Sequence, residues 1–187
     1  MQIEEDIITG CINNEKHFQN LLYIKTSALC YAICLRYAAN PNDAKDIFQE
    51  AFVKVYTQIK NYNKSGSFEG WLKRIFINTS IDYCRRNKKI NFVSIKEEFE
   101  IEDEEEPKYN DEISTVVLMD LIQNLPDGYR IIFNLYAIEK LTHKEIALKL
   151  NIGEGTSKSQ LFKARKMLQT KVNQIIKVNQ NLRHERF

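Results

Sequence analysis

Three carboxylates and two clusters of cations are the residues of this chain whose types and spacing could do chemistry. Asp43, Asp46 and Glu50 stand at i, i+3 and i+7, with Gln49 beside them, so a helix through this stretch carries the acids on one face. Such a face can hold a metal ion or receive a basic partner. The metal reading is short of donors: no His lies in the segment, and acids on an outward helix face form no pocket. A docking surface for a basic protein helix fits better than catalysis. Plain solvated acids are the bland alternative.

The first cation cluster is "KRIFINTSIDYCRRNKK" (73–89), six Lys/Arg against one Asp, preceded by "NYNKSGSF" with Tyr62 and Phe68. Rings beside cations suit an unpaired strand, because stacking tolerates any base while the cations hold the backbone. The same cations, Arg85, Arg86, Lys88 and Lys89, also suit a solvated helix end whose dipole they complement. The residues alone leave both readings open. The second cluster lies in "THKEIALKLNIGEGTSKSQLFKARKML" (142–168), where two amphipathic helical patterns are separated by only a few residues, two of them glycine. Helices joined that tightly must cross steeply, as in a DNA-binding helix-turn-helix. Residues 140–186 hold eleven Lys/Arg and three Asp/Glu, a net of +8, which favours DNA over an ordinary helical hairpin.

The corner has its own signals. Thr142 and Glu145 have the spacing of a capping box, and Ile146, Ala147 and Leu150 form the inner face of the helix they start. Asn151 sits at the turn, where Asn and Gly tolerate a left-handed backbone, and Ile152 plugs it. The second helix turns Ser157, Leu161, Ala164 and Leu168 inward. That leaves Thr156, Lys158, Ser159, Gln160 and Lys163 expected on its outer face, where such groups read base edges and phosphates.

The remaining chain supplies the elements that position these residues. Residues 3–38 read as helix with a break near 10–14, rich enough in apolar residues to be central to a bundle. Pro41 opens the next helix, whose apolar positions across 42–60 repeat at three and four. Residues 61–67 are a loop by composition, and Ser67 is the expected N-cap of a helix over 68–88. Helical period resumes at Ile113, and Pro126 starts another helix through about Glu139. Between the halves, residues 91–112 hold ten Asp/Glu against two Lys, a local charge of −8, which leaves +10 on the remainder. Such a strap reads as a solvated linker. The expected fold is all-α: helical domains at 1–90 and 113–187 joined by a flexible acidic linker at 91–112.

Cys11, Cys30, Cys34 and Cys84 show no CxxC spacing and are expected as buried thiols rather than metal ligands. No basic-then-apolar leader and no apolar run near the ~20 residues of a membrane span is present, so a cytoplasmic, reduced protein is expected.

Taken in order, these motifs resemble the extracytoplasmic-function sigma factors, the smallest group of bacterial sigma factors. "NDAKDIFQEAFVKVY" resembles the family's polymerase-docking helix and "SFEGWLKRIFINTSIDYCRRNKK" its promoter-melting helix. "LPDGYRIIFNLYAIEKLTHKEIALKLNIGEGTSKSQLFKARKML" resembles its promoter-distal helix-turn-helix domain. The resemblance implies a non-enzymatic factor without cofactor or metal that binds core RNA polymerase, promoter DNA and an anti-sigma partner, with no membrane insertion. It implies polymerase docking at Asp43, Asp46, Gln49 and Glu50. It implies −10 recognition and melting by Asn61, Tyr62, Asn63, Lys64, Lys73, Arg74, Asn78, Arg85 and Arg86. Lys144, Thr156, Lys158, Ser159, Gln160, Lys163 and Arg165 would read the −35 element, and the acidic linker would thread the RNA exit path. Two positions depart from the family pattern. Ser157 stands where Val is usual, burying a hydroxyl, and Gln160 stands where Arg is common. The main rival is a stand-alone helix-turn-helix regulator, which needs a dimer and a palindromic site; no heptad zipper or effector pocket is evident for it.

Overall fold

The computed structural model describes residues 3–87 and 114–184, and every regular element among them is helical. The chain divides into two compact units, Met1–Lys89 and Ile90–Phe187. The acidic stretch 91–112 lies outside the described residues, as do Lys88, Lys89 and the chain end from residue 185.

The first unit is a four-helix assembly: α1 (Glu5–Ile12), α2 (Lys16–Tyr37), α3 (Pro41–Gln58) and α4 (Phe68–Asn87). The break expected near 10–14 is real and has two causes. Asn14 takes a positive φ of 61°, and Gly10 lets α2 fold back, since a Cβ there would sit 2.1 Å from Phe18 Cδ2. α3 starts where Asn40 and Pro41 dictate: the Asn40 side chain accepts from the Asn42 and Asp43 amides at 2.9 Å each. Ser67 caps α4, accepting from the Gly70 amide at 3.1 Å. As its apolar excess implied, α2 packs against α1, α3 and α4. The core between them holds Leu22, Cys30, Ile33 and Cys34 of α2, Ala44, Ile47, Ala51 and Val55 of α3, and Leu72 and Phe76 of α4, all fully or nearly fully buried. An edge-to-face contact of Phe52 with Phe76 ties α3 to α4, and Phe48 stands edge-to-face on Phe52 within α3. Burying one such ring is worth about 1.5–3 kcal/mol. All four cysteines are buried free thiols, and burial pushes Cys11 up to about 11 and Cys30 up to about 12, so neither is a ready nucleophile.

The second unit comprises α5 (Thr115–Gln123), α6 (Asp127–Phe133), α7 (His143–Leu150) and α8 (Glu154–His184), with α8 packed on the other three. The seam of α5 and the turn after it with α8 is built from Leu121, Ile122 and Leu125 together with Ala164, Leu168 and Val172. Two features add to the expected pattern. The helix from Pro126 does not run regularly to Glu139: it passes into a π-turn at Asn134–Ile138, closed by the Glu139 amide donating to the Asn134 carbonyl at 3.0 Å. Buried Asn134 stands at its start, where its side-chain amide donates to the Arg130 carbonyl at 2.9 Å beside the backbone amide that donates to the same carbonyl. The last helix also continues past Leu168 to His184, with Ile175 and Ile176 extending its apolar stripe.

Candidate functional site

The corner between α7 and α8 is built by local chemistry. Thr142 and Glu145 close a reciprocal capping box, with the Thr142 amide donating to Glu145 Oε2 at 2.8 Å and the Glu145 amide donating to Thr142 Oγ1 at 3.3 Å. Asn151 takes the left-handed conformation at φ 53°, and the Ile152 amide donates back to the Ala147 carbonyl at 3.0 Å. The two flanking glycines do not share this role, since no glycine in the described residues has a positive φ. Lys144, Lys158 and Arg165 are exposed, while Thr156, Ser159 and Lys163 are half-buried.

Gln160 corrects the outward placement expected for it. It is only 4% exposed, and its amide oxygen has no hydrogen-bond partner among the described residues. Position 160 is three beyond Ser157 and four before Ala164, so it falls inside a buried stripe wider than the one drawn from 157, 161, 164 and 168. Burial takes its side chain off the exposed face of α8.

Ser157 itself is fully buried as expected, and its hydroxyl is satisfied. Ser157 Oγ and His143 Nδ1 share a 2.9 Å hydrogen bond. The His143 ring stacks on Tyr136 with centroids 4.7 Å apart, and the Arg165 guanidinium lies 5.5 Å from the centre of the same Tyr136 ring. Burial chiefly, then the charges of Lys158 and Arg165, hold His143 below the usual imidazole range and favour its neutral form.

In the first unit, Tyr62, Phe68 and Trp71 form one aromatic cluster, with Phe68 and Trp71 stacked at 5.3 Å and Tyr62 5.2 Å from Phe68. The loop ahead of α4 is folded on itself: Tyr62 Oη donates to the Gly66 carbonyl at 2.7 Å, and the Ser65 amide to Asn63 Oδ1 at 3.1 Å. Asn61, Asn63, Lys64, Arg74, Asn78, Arg85 and Arg86 are exposed. Several cations of this unit already face acids. Lys64 pairs with Glu5, Lys73 with Glu69 at 2.8 Å, and Arg86 with Glu50.

The carboxylates of α3 therefore do not stand alone. Tyr83 Oη on α4 donates to Asp46 Oδ2 at 3.1 Å and to Asp43 Oδ1 at 3.3 Å, and Glu50 is held by Arg86 and by Lys54 at 3.0 Å. Arg86 and then Lys54 keep the Glu50 carboxyl below the usual carboxylate range, with burial opposing them. Asp46 and Gln49 are exposed, Asp43 and Glu50 half-buried, and one turn beyond Gln49 the apolar Val53 is 63% exposed. Among the described residues no group of three or more His, Cys, Asp or Glu could hold a metal. Tyr83 and Glu5 escaped the sequence reading, because cross-helix partners carry no local periodic signal.

Comparison with known proteins matches this geometry at both ends of the chain. Residues 22–90 match the family model for sigma-70 region 2, and residues 115–168 the model for sigma-70, region 4. The ECF RNA polymerase sigma factor SigM of Bacillus subtilis is 33% identical over 76% of this chain and 88% of its own length. ECF RNA polymerase sigma factor SigE of Mycolicibacterium smegmatis is 32% identical over 74% of this chain, which spans 55% of that relative. In fold, the chain is similar to the sigma factor RpoE of Bartonella quintana, solved with the anti-sigma factor NepR, at a TM-score of 0.51 and 16% identity over 82% of this chain and 96% of that one. The chain belongs to the extracytoplasmic-function RNA polymerase sigma factors. It is an alternative sigma factor that directs transcription initiation, and not an enzyme. No helix of the described residues is long and apolar enough to cross a membrane.

Proposed function

We propose that the two units divide promoter recognition between them. The α3 face of Asp43, Asp46, Gln49 and Glu50 docks the chain on core polymerase. The loop at 61–67 and the exposed cations of α4 hold the opened −10 strand, with Tyr62 of the aromatic cluster nearest the bases. Lys144, Thr156, Lys158, Ser159, Lys163 and Arg165 read and anchor the −35 element from the corner of the second unit. The chain acts in the cytoplasm, where its polymerase is, and is restrained by an anti-sigma protein as the Bartonella quintana relative was captured.

The observation that supports this assignment most is the segregation of charge and apolar surface on α3. Asp46 and Gln49 are open to solvent beside an exposed Val53, which suits a protein partner better than a metal. Run-off transcription on sheared genomic DNA with core polymerase tests it. Added protein should create discrete new start sites, and Asp46→Lys with Glu50→Lys should abolish them while leaving helicity unchanged. New starts that survive the double substitution would refute docking on α3.

A further inference from the structure

Four side chains from three elements of the second unit form a closed circuit. Ser157 and Arg165 belong to α8, Tyr136 to the π-turn and His143 to the first turn of α7. Ser157 is bonded to His143, His143 is stacked on Tyr136, and Tyr136 receives Arg165. The circuit holds α8 at two points eight residues apart, about 12 Å along its axis at an α-helical rise. Resting on the assignment of α8 as the −35 reader, we propose that His143 is a positioning residue for promoter recognition: it fixes the angle at which α8 leaves the corner and, through Tyr136, the direction of Arg165.

The chemistry at Ser157 makes His143 necessary. With the imidazole in place Ser157 is fully buried, and its hydroxyl depends on that ring for a partner. Without the imidazole, the hydroxyl goes unpaired or turns back on its own helix, at the Gly153 carbonyl that the Ser157 amide already occupies at 3.1 Å. Either way α7 and α8 lose their polar link. An apolar side chain at 157 needs no partner, so there the corner holds by packing alone. The π-turn completes the device. A regular helix through Asn134–Ile138 would rotate Tyr136 away from the direction in which it meets both His143 and Arg165. Tyr136 then limits the guanidinium to one side of its ring, which matters for a planar donor fork that reads by orientation.

The test uses the full chain with core polymerase, transcribing one promoter recovered by genomic run-off and a second template with its upstream element replaced. His143→Ala should raise the protein concentration for half-maximal transcription on the intact promoter by about three- to tenfold, the range one ordinary hydrogen bond represents. The maximal rate, and transcription from the replaced template, should not change. His143→Asn, which keeps a polar group near the Nδ1 position, should recover most of the loss. Ser157→Val should be near normal and should shrink the His143→Ala loss to the part carried through Tyr136. An unchanged half-maximal concentration in His143→Ala would overturn the proposal. So would equal loss on both templates, or failure of Ser157→Val to rescue. If the unaltered protein treats the two templates alike, the −35 assignment itself fails, an outcome distinct from the other three.

Discussion

Arg130 is the residue whose replacement has the largest effect that can be worked from the structure. Its side chain is 1% exposed, yet it carries a full charge. The guanidinium donates to the Gln123 carbonyl at 2.8 Å, to the Leu125 carbonyl at 2.7 Å and to the Asp127 carboxylate. Those groups end α5 and begin α6, so one side chain welds the two helices at their junction. Arg130→Met keeps much of the apolar stem and removes every donor. Asp127, with its side chain 20% exposed, then loses its cation, and two carbonyls lose a donor. Removing one partner of a buried pair costs about 3–5 kcal/mol. Half-buried Gln123 can recruit water, which sets the expectation at the lower end, about 3 kcal/mol. In a unit of this size each kcal/mol moves Tm by about 4–8 °C, so the second unit should melt at least about 12 °C lower. The chain's single tryptophan, Trp71, lies in the first unit, so its fluorescence follows that unit while circular dichroism follows both. The dichroism should show an early transition that the fluorescence does not. Asp127→Asn added to Arg130→Met should restore part of the loss by removing the charge that Arg130 had neutralised. A shift below about 4 °C, or equal shifts in both signals, would show that Arg130 is not the weld described.

Two further outcomes follow from the corner. Because His143 sits below its unfolded value near 6.5, the unfolded chain takes up the proton first as pH falls; the second unit should keep full stability above about pH 6.5 and lose it below. Melts of the natural chain against His143→Asn between about pH 7.5 and 5.5 should show the slope in the first and its absence in the second, well above the range where Glu145 and Glu50 protonate. Asn151→Ala should destabilise that unit by about 1 kcal/mol through its left-handed backbone, and Asn151→Gly should not, as read by urea unfolding.

The parts of this fold legible in advance are those decided within one turn of helix. Asn40 and Pro41, Ser67, and the Thr142–Glu145 pair announce helix starts because a cap satisfies amides only two or three residues away. Ser157, Leu161, Ala164 and Leu168 point inward as their spacing demands. Gln160 did not follow, because a polar residue at the edge of a buried stripe is placed by the width of its neighbours' packing, which spacing alone does not give. The π-turn at Asn134–Ile138 has no signal in the apolar spacing, and the bonds of Tyr83 and Arg86 to the α3 acids needed the approach of two helices far apart in sequence. The candidate surfaces were readable as charge. Their internal pairing was not.

That pairing bears on how the chain meets a polyanion. Binding to nucleic acid gains much of its free energy from counterions released when cations replace them along the phosphates. A cation already matched by a carboxylate brings its own counterion, and that acid must be displaced and rehydrated before the cation can release a condensed ion. Lys64 with Glu5, Lys73 with Glu69 and Arg86 with Glu50 are three such matches in the first unit. Counting its cations therefore overstates the salt dependence of its grip on stray DNA. The unit has a builtin discount on non-specific binding, largest at the low ionic strength where indiscriminate attraction is otherwise strongest.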